Sequence, residues 1–255
     1  MKKLIILLSL AILTFGGMIG TGFAADISMT LTPAVVEIGT FYDGTSVMVE
    51  GQIPANAEAV VRVGGEGEEL HLKKKGKVGG ILWMNTGDVT LENAPNVYMV
   101  YTPKEITDLD ISPARQLGIP ALKDRITVAP ASEDKDFIVR EFIKLKKKEA
   151  LYSVNDETVK YGDISKGMKS FRVQIVVPPR MKQGIYQIDL GVIQNGKLSG
   201  IISKELKVKF IGFPAKLSKL AFGKPITHGV MAVFIAIAAG LFMGIVFKGK
   251  GGGAH

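Results

Sequence analysis

The sequence predicts a mainly β protein, an immunoglobulin-like antiparallel β-sandwich with a helical insertion, followed by one C-terminal transmembrane helix. Three patterns predict it. Apolar and polar residues alternate with period two in short runs across residues 27–102 and again across 171–210, with glycine, proline and acidic turns between them, as strands buried on one face require. Residues 105–152 lose that alternation and take helical spacing instead. Gly229–Phe247 is nineteen residues without a charge, and at about 1.5 Å per residue such a helix nearly crosses the roughly 30 Å hydrocarbon core of a bilayer.

At the amino end, Met1-Lys2-Lys3 and the apolar run 4–13 have the form of a signal peptide, residues 1–24, with Gly22 and Ala24 placing cleavage after Ala24. An uncleaved anchor over residues 4–19 is the alternative, and either reading exports the middle of the chain. Lys2 and Lys3 hold the amino end in the cytoplasm, so the later span leaves the short tail 248–255 inside.

Candidate strands follow at 27–31, 35–40, 45–53, 57–63, 69–74, 80–85, 88–92 and 97–101. Asp43-Gly44, Gly64-Gly65, Gly76 and Gly87-Asp88 separate them with residues that tolerate turns. Short strands at this spacing predict a sandwich. In the insertion, residues 110–117 predict a short helix and 133–151 a stronger one. The stronger helix opens on Glu133, Asp134 and Asp136 and closes on Lys144, Lys146, Lys147 and Lys148, as the helix dipole favours, with Ile138, Phe142 and Leu145 on one face. Strands return at 171–177, 184–194 and 200–210; Asn195-Gly196 predicts a hairpin and Pro178-Pro179 a bend. The exported domain is thus expected over residues 25–213, with a basic membrane-proximal segment over 214–228. Within that region, residues 213–222 place Leu217, Leu220 and Ala221 opposite Lys216 and Lys219, the pattern of an interfacial turn or helix.

The net charge of +8 comes from 32 basic and 24 acidic residues, and its location decides its meaning. Every acid lies between Asp26 and Glu205, whereas residues 203–224 hold six lysines against Glu205 alone. Positive charge beside a span fits anionic headgroups, so Lys216, Lys219 and Lys224 are the expected lipid contacts and nucleic acid is not an expected partner. The absence of cysteine excludes disulfides, thiolate catalysis and zinc–thiolate sites. His71, His228 and His255 are scattered, and Gly64-Gly65-Glu66-Gly67 lacks the Lys-Ser/Thr of a phosphate loop. Glu66, Glu68 and Glu69, opposed by Lys73, Lys74 and Lys75, predict a solvated hairpin rather than a calcium loop. Neither a cofactor nor an enzymatic activity is therefore expected.

Two groups of residues stand out as candidate sites. Ala232, Ala236, Gly240 and Gly244 recur every four residues along the span, a face that lets a partner helix approach closely. Trp83 and Asn85 share one side of a predicted strand, with Tyr98 and Tyr101 on a later one. These four could line a ligand patch, while the favoured structural reading has the sole tryptophan filling the core.

Gly80-Ile81-Leu82-Trp83-Met84-Asn85, Pro95, Tyr98, the run from Phe171 to Pro178, Gly184-Ile185-Tyr186, Asn195-Gly196 and the terminal span occur in an order that resembles the bacterial transmembrane family Alph_Pro_TM. The resemblance covers most of residues 25–250. It implies a bacterial protein, for which the signal peptide and the span predict a location in the cytoplasmic (inner) membrane with the N-terminal domain exported and the C-terminus cytoplasmic. It also implies an association with transport proteins of the sulfite-exporter permease type and defines no catalytic residue, while the small-residue face of the span predicts a multi-helix membrane partner or self-association through the span. The expected role is a non-catalytic accessory or interaction subunit, and the alternative is a ligand-binding or sensory exported domain.

Overall fold

The structure is a computed structural model that describes residues 27–104, 116–223 and 225–248. Its strands are β1 (Ser28–Thr32), β2 (Val35–Ile38), β3 (Thr45–Pro54), β4 (Ala57–Gly64), β5 (Gly67–Val78), β6 (Leu82–Pro95), β7 (Tyr98–Tyr101), β8 (Thr127–Ala129), β9 (Tyr152–Asn155), β10 (Lys160–Ser165), β11 (Met168–Val177), β12 (Gly184–Gln194) and β13 (Lys197–Phe210). Helices α1 (Ala121–Arg125) and α2 (Lys135–Lys148) interrupt them, and α3 (Gly212–Gly223) and α4 (Pro225–Lys248) follow.

The strands form a four-stranded sheet ordered β1-β3-β11-β10, a six-stranded sheet ordered β2-β13-β12-β4-β7-β9, and a small sheet β5-β6-β8. Alternation explains why the first two share a core. Val47, Val49 and Ile53 of β3 and Phe171, Val173, Ile175 and Val177 of β11 turn inward, as do Tyr186, Ile188, Leu190 and Val192 of β12. Each such side chain contributes about 1.5–3 kcal/mol on burial. Two hydroxyls bridge the sheets: the Ala59 N–H donates to Tyr161 Oη at 2.8 Å, and the Val176 N–H donates to Tyr101 Oη at 3.2 Å.

The register fixes which strand ends lie together. β13 leads into α3 and α4; near that exit Val208 pairs with Gly184 and Glu205 with Gln187, and Gln187 pairs on its other side with Gly64, the last residue of β4. Tyr98, the first residue of β7, pairs with Gly64 as well. Both roots of the β5–β6 hairpin therefore leave the six-stranded sheet at the end from which the apolar helix departs. Gln183, just before β12, contacts Ser218 of α3 at this end.

Several expectations need correction. The six-stranded sheet is not wholly antiparallel, because β2 pairs parallel to β13 and β9 parallel to β7 at its two edges. The predicted strands 80–85 and 88–92 merge into one long strand, β6, that begins only at Leu82: Gly76 and Gly87 sit within the ladder, and the chain turns at Gly79 and Gly80, whose φ angles of 62° and 76° suit glycine. The sequence reading contained no β8, β9 or β10. The first two are short, and β10 is an exposed edge whose register breaks between Tyr161 and Ile164, so its period is blurred. Helix α2 starts at the Asp134 cap and buries Val139, Phe142 and Ile143, whereas Leu145 is 48% exposed. The predicted face is rotated because α2 packs against β8 and β9. The signal peptide, most of the 110–117 segment and the tail beyond residue 248 lie outside the described residues.

Candidate functional site

The outer face of the six-stranded sheet carries an ion pair between a buried carboxylate and a half-buried guanidinium. Asp189, 4% exposed on β12, accepts from Arg62 Nη2 at 2.7 Å, from Arg62 Nε at 3.1 Å, and from the Ser203 hydroxyl. Burial is the largest single influence and works against the Arg62 charge, but the hydrogen bond and charge of Asp189 together with Tyr98 outweigh it, so the guanidinium pKa is raised. Arg62 also donates to the Gln116 carbonyl and lies 5.9 Å from the Tyr98 ring centre. A Cβ on Gly191 would stand 2.5 Å from Leu117 Cδ1, so this glycine allows the 116–118 segment to lie close on the sheet. The pair fastens that segment to the sheet. Sequence reading missed it because Arg62 and Asp189 are partners only through the β4–β12 register.

Beside this pair, Tyr98 donates to the carbonyls of Leu117 and Gly118, and Tyr152 donates to the Pro95 carbonyl. Phe142 of α2 meets Tyr152 edge-on, with ring centres 5.8 Å apart. Burial pushes Tyr98 and Tyr152 upward and Tyr101 to about 12. These tyrosines act as packing groups with satisfied hydroxyls.

The predicted ligand patch is therefore not one surface. Tyr98 and Tyr101 are buried on β7, whereas Trp83 and Asn85 are exposed on β6. The core reading of Trp83 is overturned: it is 65% exposed, near the tip of the β5–β6 hairpin. The root half of that hairpin is packed, with Val89, Leu91 and Ala94 buried, β8 paired to residues 90–92, and Lys74 bonded to Glu133 at 2.7 Å. Beyond it, Val78, Ile81, Leu82 and Met84 are exposed with Trp83. Between the hairpin and α2 runs a groove of about 460 Å³, lined by Leu72, Lys74, Trp83, Phe137 and Phe142 among others.

A glycine turn flanked by an apolar run and by Lys73–Lys77 was the sequence signal for this tip. His71 lies in the same hairpin, exposed, with Nδ1 3.0 Å from the Thr90 hydroxyl. The cluster around it is a hairpin ladder, in which Lys73 pairs with Asp88 across the strands and Glu68 with Lys182.

Helix α4 contains the segment Gly229–Phe247, with mean hydropathy 2.7 and none of that segment buried. It is long and apolar enough to cross a membrane. Ala232, Ala236, Gly240 and Gly244 are exposed along it, and no atom lies within 4 Å of a Cβ placed on either glycine. On α3, Lys216 and Lys219 are exposed beside exposed Phe213 and Leu217; Lys224 is outside the described residues.

Residues 26–249 match one protein-family model, Alph_Pro_TM, described as "Putative transmembrane protein". Comparison with the curated proteins gave no match.

Proposed function

The chain belongs to the Alph_Pro_TM family of transmembrane proteins, and on that premise we propose that it is a single-span protein of a bacterial inner membrane. Its exported β-sandwich serves as a non-catalytic accessory or interaction subunit of a membrane complex. One observation carries this reading: a wholly exposed apolar helix, with Ala232, Ala236, Gly240 and Gly244 on one face, is joined to a β domain that also presents an exposed apolar hairpin tip. The span packs on a multi-helix partner, with a transport protein as the expected class, while the sandwich meets that partner's exported side.

An immunoglobulin-like arrangement is supported by the strand order. β1-β3-β11-β10 corresponds to strands A-B-E-D of that fold, and β13-β12-β4-β7 to G-F-C-C′. Tyr186 supports it too, since its hydroxyl, near the start of β12, donates to the Lys182 carbonyl as a tyrosine corner does. The β5–β6 hairpin is then an elaboration between strands C and C′.

Purification of the intact chain from its own membrane in mild detergent tests the role. The expected result is a co-purifying multi-helix protein that is lost in Gly240→Leu and Gly244→Leu. Recovery of the chain alone, with the variants unchanged, counts against an accessory subunit.

A second reading, an exported ligand-binding or sensory domain, is favoured by the groove beside Trp83. Titration of the intact protein with small amphiphiles, read by Trp83 emission, tests it. Without a saturable change in emission the reading is lost.

A further inference from the structure

Among the described residues, the tip of the β5–β6 hairpin gathers five large apolar side chains in solvent: Val78, Ile81, Leu82, Trp83 and Met84. Its register separates them by face. Val78 pairs with Leu82 and Gly76 with Met84, so Val78, Leu82 and Met84 share one face. Lys77 pairs with Trp83 and Lys75 with Asn85 on the other, and the Lys77 ammonium lies 5.6 Å from the Trp83 ring centre. Ile81, in the turn, is 89% exposed. The arm ends in an aliphatic wedge with a tryptophan and lysines behind it.

The charge around that wedge is net positive. Residues 73–88 hold four lysines and one acid, Asp88. Asp88 pairs with Lys73 and Glu133 with Lys74; among the described residues neither Lys75 nor Lys77 lies within ion-pair distance of a carboxylate. Exposed aliphatic groups, an indole with an adjacent polar edge and unneutralised lysines form the combination that partitions to the headgroup region of an anionic bilayer. A polar protein surface would leave the aliphatic face in water.

Placement agrees. Both roots of the arm leave the sheet at the end where β13 runs into α3 and the span. At about 3.3 Å per residue, the strand from Glu68 to Val78 extends roughly 30–35 Å. The span holds the bilayer next to that end at all times, so even a weak preference of the tip for lipid acts at high effective concentration.

We propose that the β5–β6 tip inserts Ile81, Leu82 and Trp83 into the headgroup region of the bilayer that holds the span, with Lys75 and Lys77 on anionic headgroups. This second attachment fixes the tilt and rotation of the β domain over the membrane, which a single helix leaves free. It rests on the span reading above but not on the accessory role.

Trp83, the sole tryptophan in the chain, reports the outcome directly. The intact protein is placed as one copy in nanodiscs of phosphatidylcholine, alone or mixed with phosphatidylglycerol. Trp83 emission is read with lipids spin-labelled near the headgroup, and separately with aqueous iodide. The expected result is blue-shifted emission that shallow labelled lipid quenches and iodide does not, stronger with phosphatidylglycerol. Ile81→Ser with Leu82→Ser should restore iodide access and abolish lipid quenching, and Lys75→Gln should narrow the difference between the two lipid mixtures.

Iodide-accessible Trp83 that lipid leaves unquenched overturns the proposal. So does Trp83 shielded from both quenchers, which would mark a protein contact within the chain. Quenching that is equal in both mixtures overturns the assignment of the lysines. Failure of the chain to enter nanodiscs overturns the span reading and this inference with it, whereas entry with Trp83 in water overturns this inference alone.

Discussion

Hairpins β12–β13 and β5–β6 use similar backbones to opposite ends. Both are long, and both close on left-handed residues: Asn195 and Gly196 with φ of 49° and 71°, and Gly79 and Gly80 with φ of 62° and 76°. The first buries Tyr186, Ile188, Leu190 and Val192 along its length and ends in the polar Gln194, Asn195 and Lys197. The second buries Val89, Leu91 and Ala94 near its root and ends in the exposed Val78, Ile81, Leu82, Trp83 and Met84. A sheet lies opposite the inner face of one, whereas at the tip of the other a groove separates Trp83 from α2 and Val78, Ile81, Leu82 and Met84 stand in solvent. Apolar content is a demand for cover, and the fold meets that demand in only one of the two.

If that contrast holds, the largest loss of stability comes from breaking the pair that β12 buries. Arg62→Leu leaves Asp189 buried without its cation, and such an uncompensated charge costs about 3–5 kcal/mol. Chemical denaturation of the full chain in detergent should show the loss, and Arg62→Leu with Asp189→Leu should recover much of it. An unchanged midpoint for the single variant would mean that the pair is not buried as described.

Next in size is the core. Leu190→Ala on β12 removes a fully buried side chain and should cost about 2–5 kcal/mol. Leu82→Ala on β6 makes the same chemical change on exposed surface and should stay within about 0.5 kcal/mol. Equal effects at the two leucines would erase the comparison.

Alkaline pH sharpens it from another side. Burial pushes Tyr101, Tyr161 and Tyr186 up to about 12, whereas the unfolded chain releases those protons near 10. The stability held by neutral tyrosines is thus complete below about pH 10 and declines as pH rises toward 12, by about 1.4 kcal/mol per pH unit for each group. The hairpin β5–β6 contains no tyrosine. Apart from the half-buried Tyr42, tyrosinate absorbance should therefore rise as the β domain unfolds, above the pH at which free tyrosine ionises.

The smallest effect compares the turns themselves. Gly196→Ala and Gly79→Ala each force a side chain into the left-handed region, costing about 1–2 kcal/mol in either hairpin. A much smaller cost at Gly79 would show that the outer half of β5–β6 opens independently of the rest.

Much of the fold was legible in the chain. Asn195-Gly196 fixed one hairpin and the Asp134 cap marked the start of α2, because turn and cap chemistry act over a few residues. Trp83 and the pair Tyr98 and Tyr101 were misjudged together. Strand period says that neighbours alternate between two faces, but it does not say which face another layer will cover. β9, and the parallel pairing of the predicted strand β2, were harder still, since their partners lie far along the chain.

By itself the sequence determined the apolar helix Gly229–Phe247, the β-rich character and the lysine excess beside the span, all of which depend on composition and local period. Tertiary structure alone decided that Arg62 meets Asp189, that the tyrosines of β7 are buried, and that the hairpin carrying Trp83 leaves from the end of the sheet nearest the span. Those facts follow from strand register and from what packs on each face, and register joins residues that no local pattern relates.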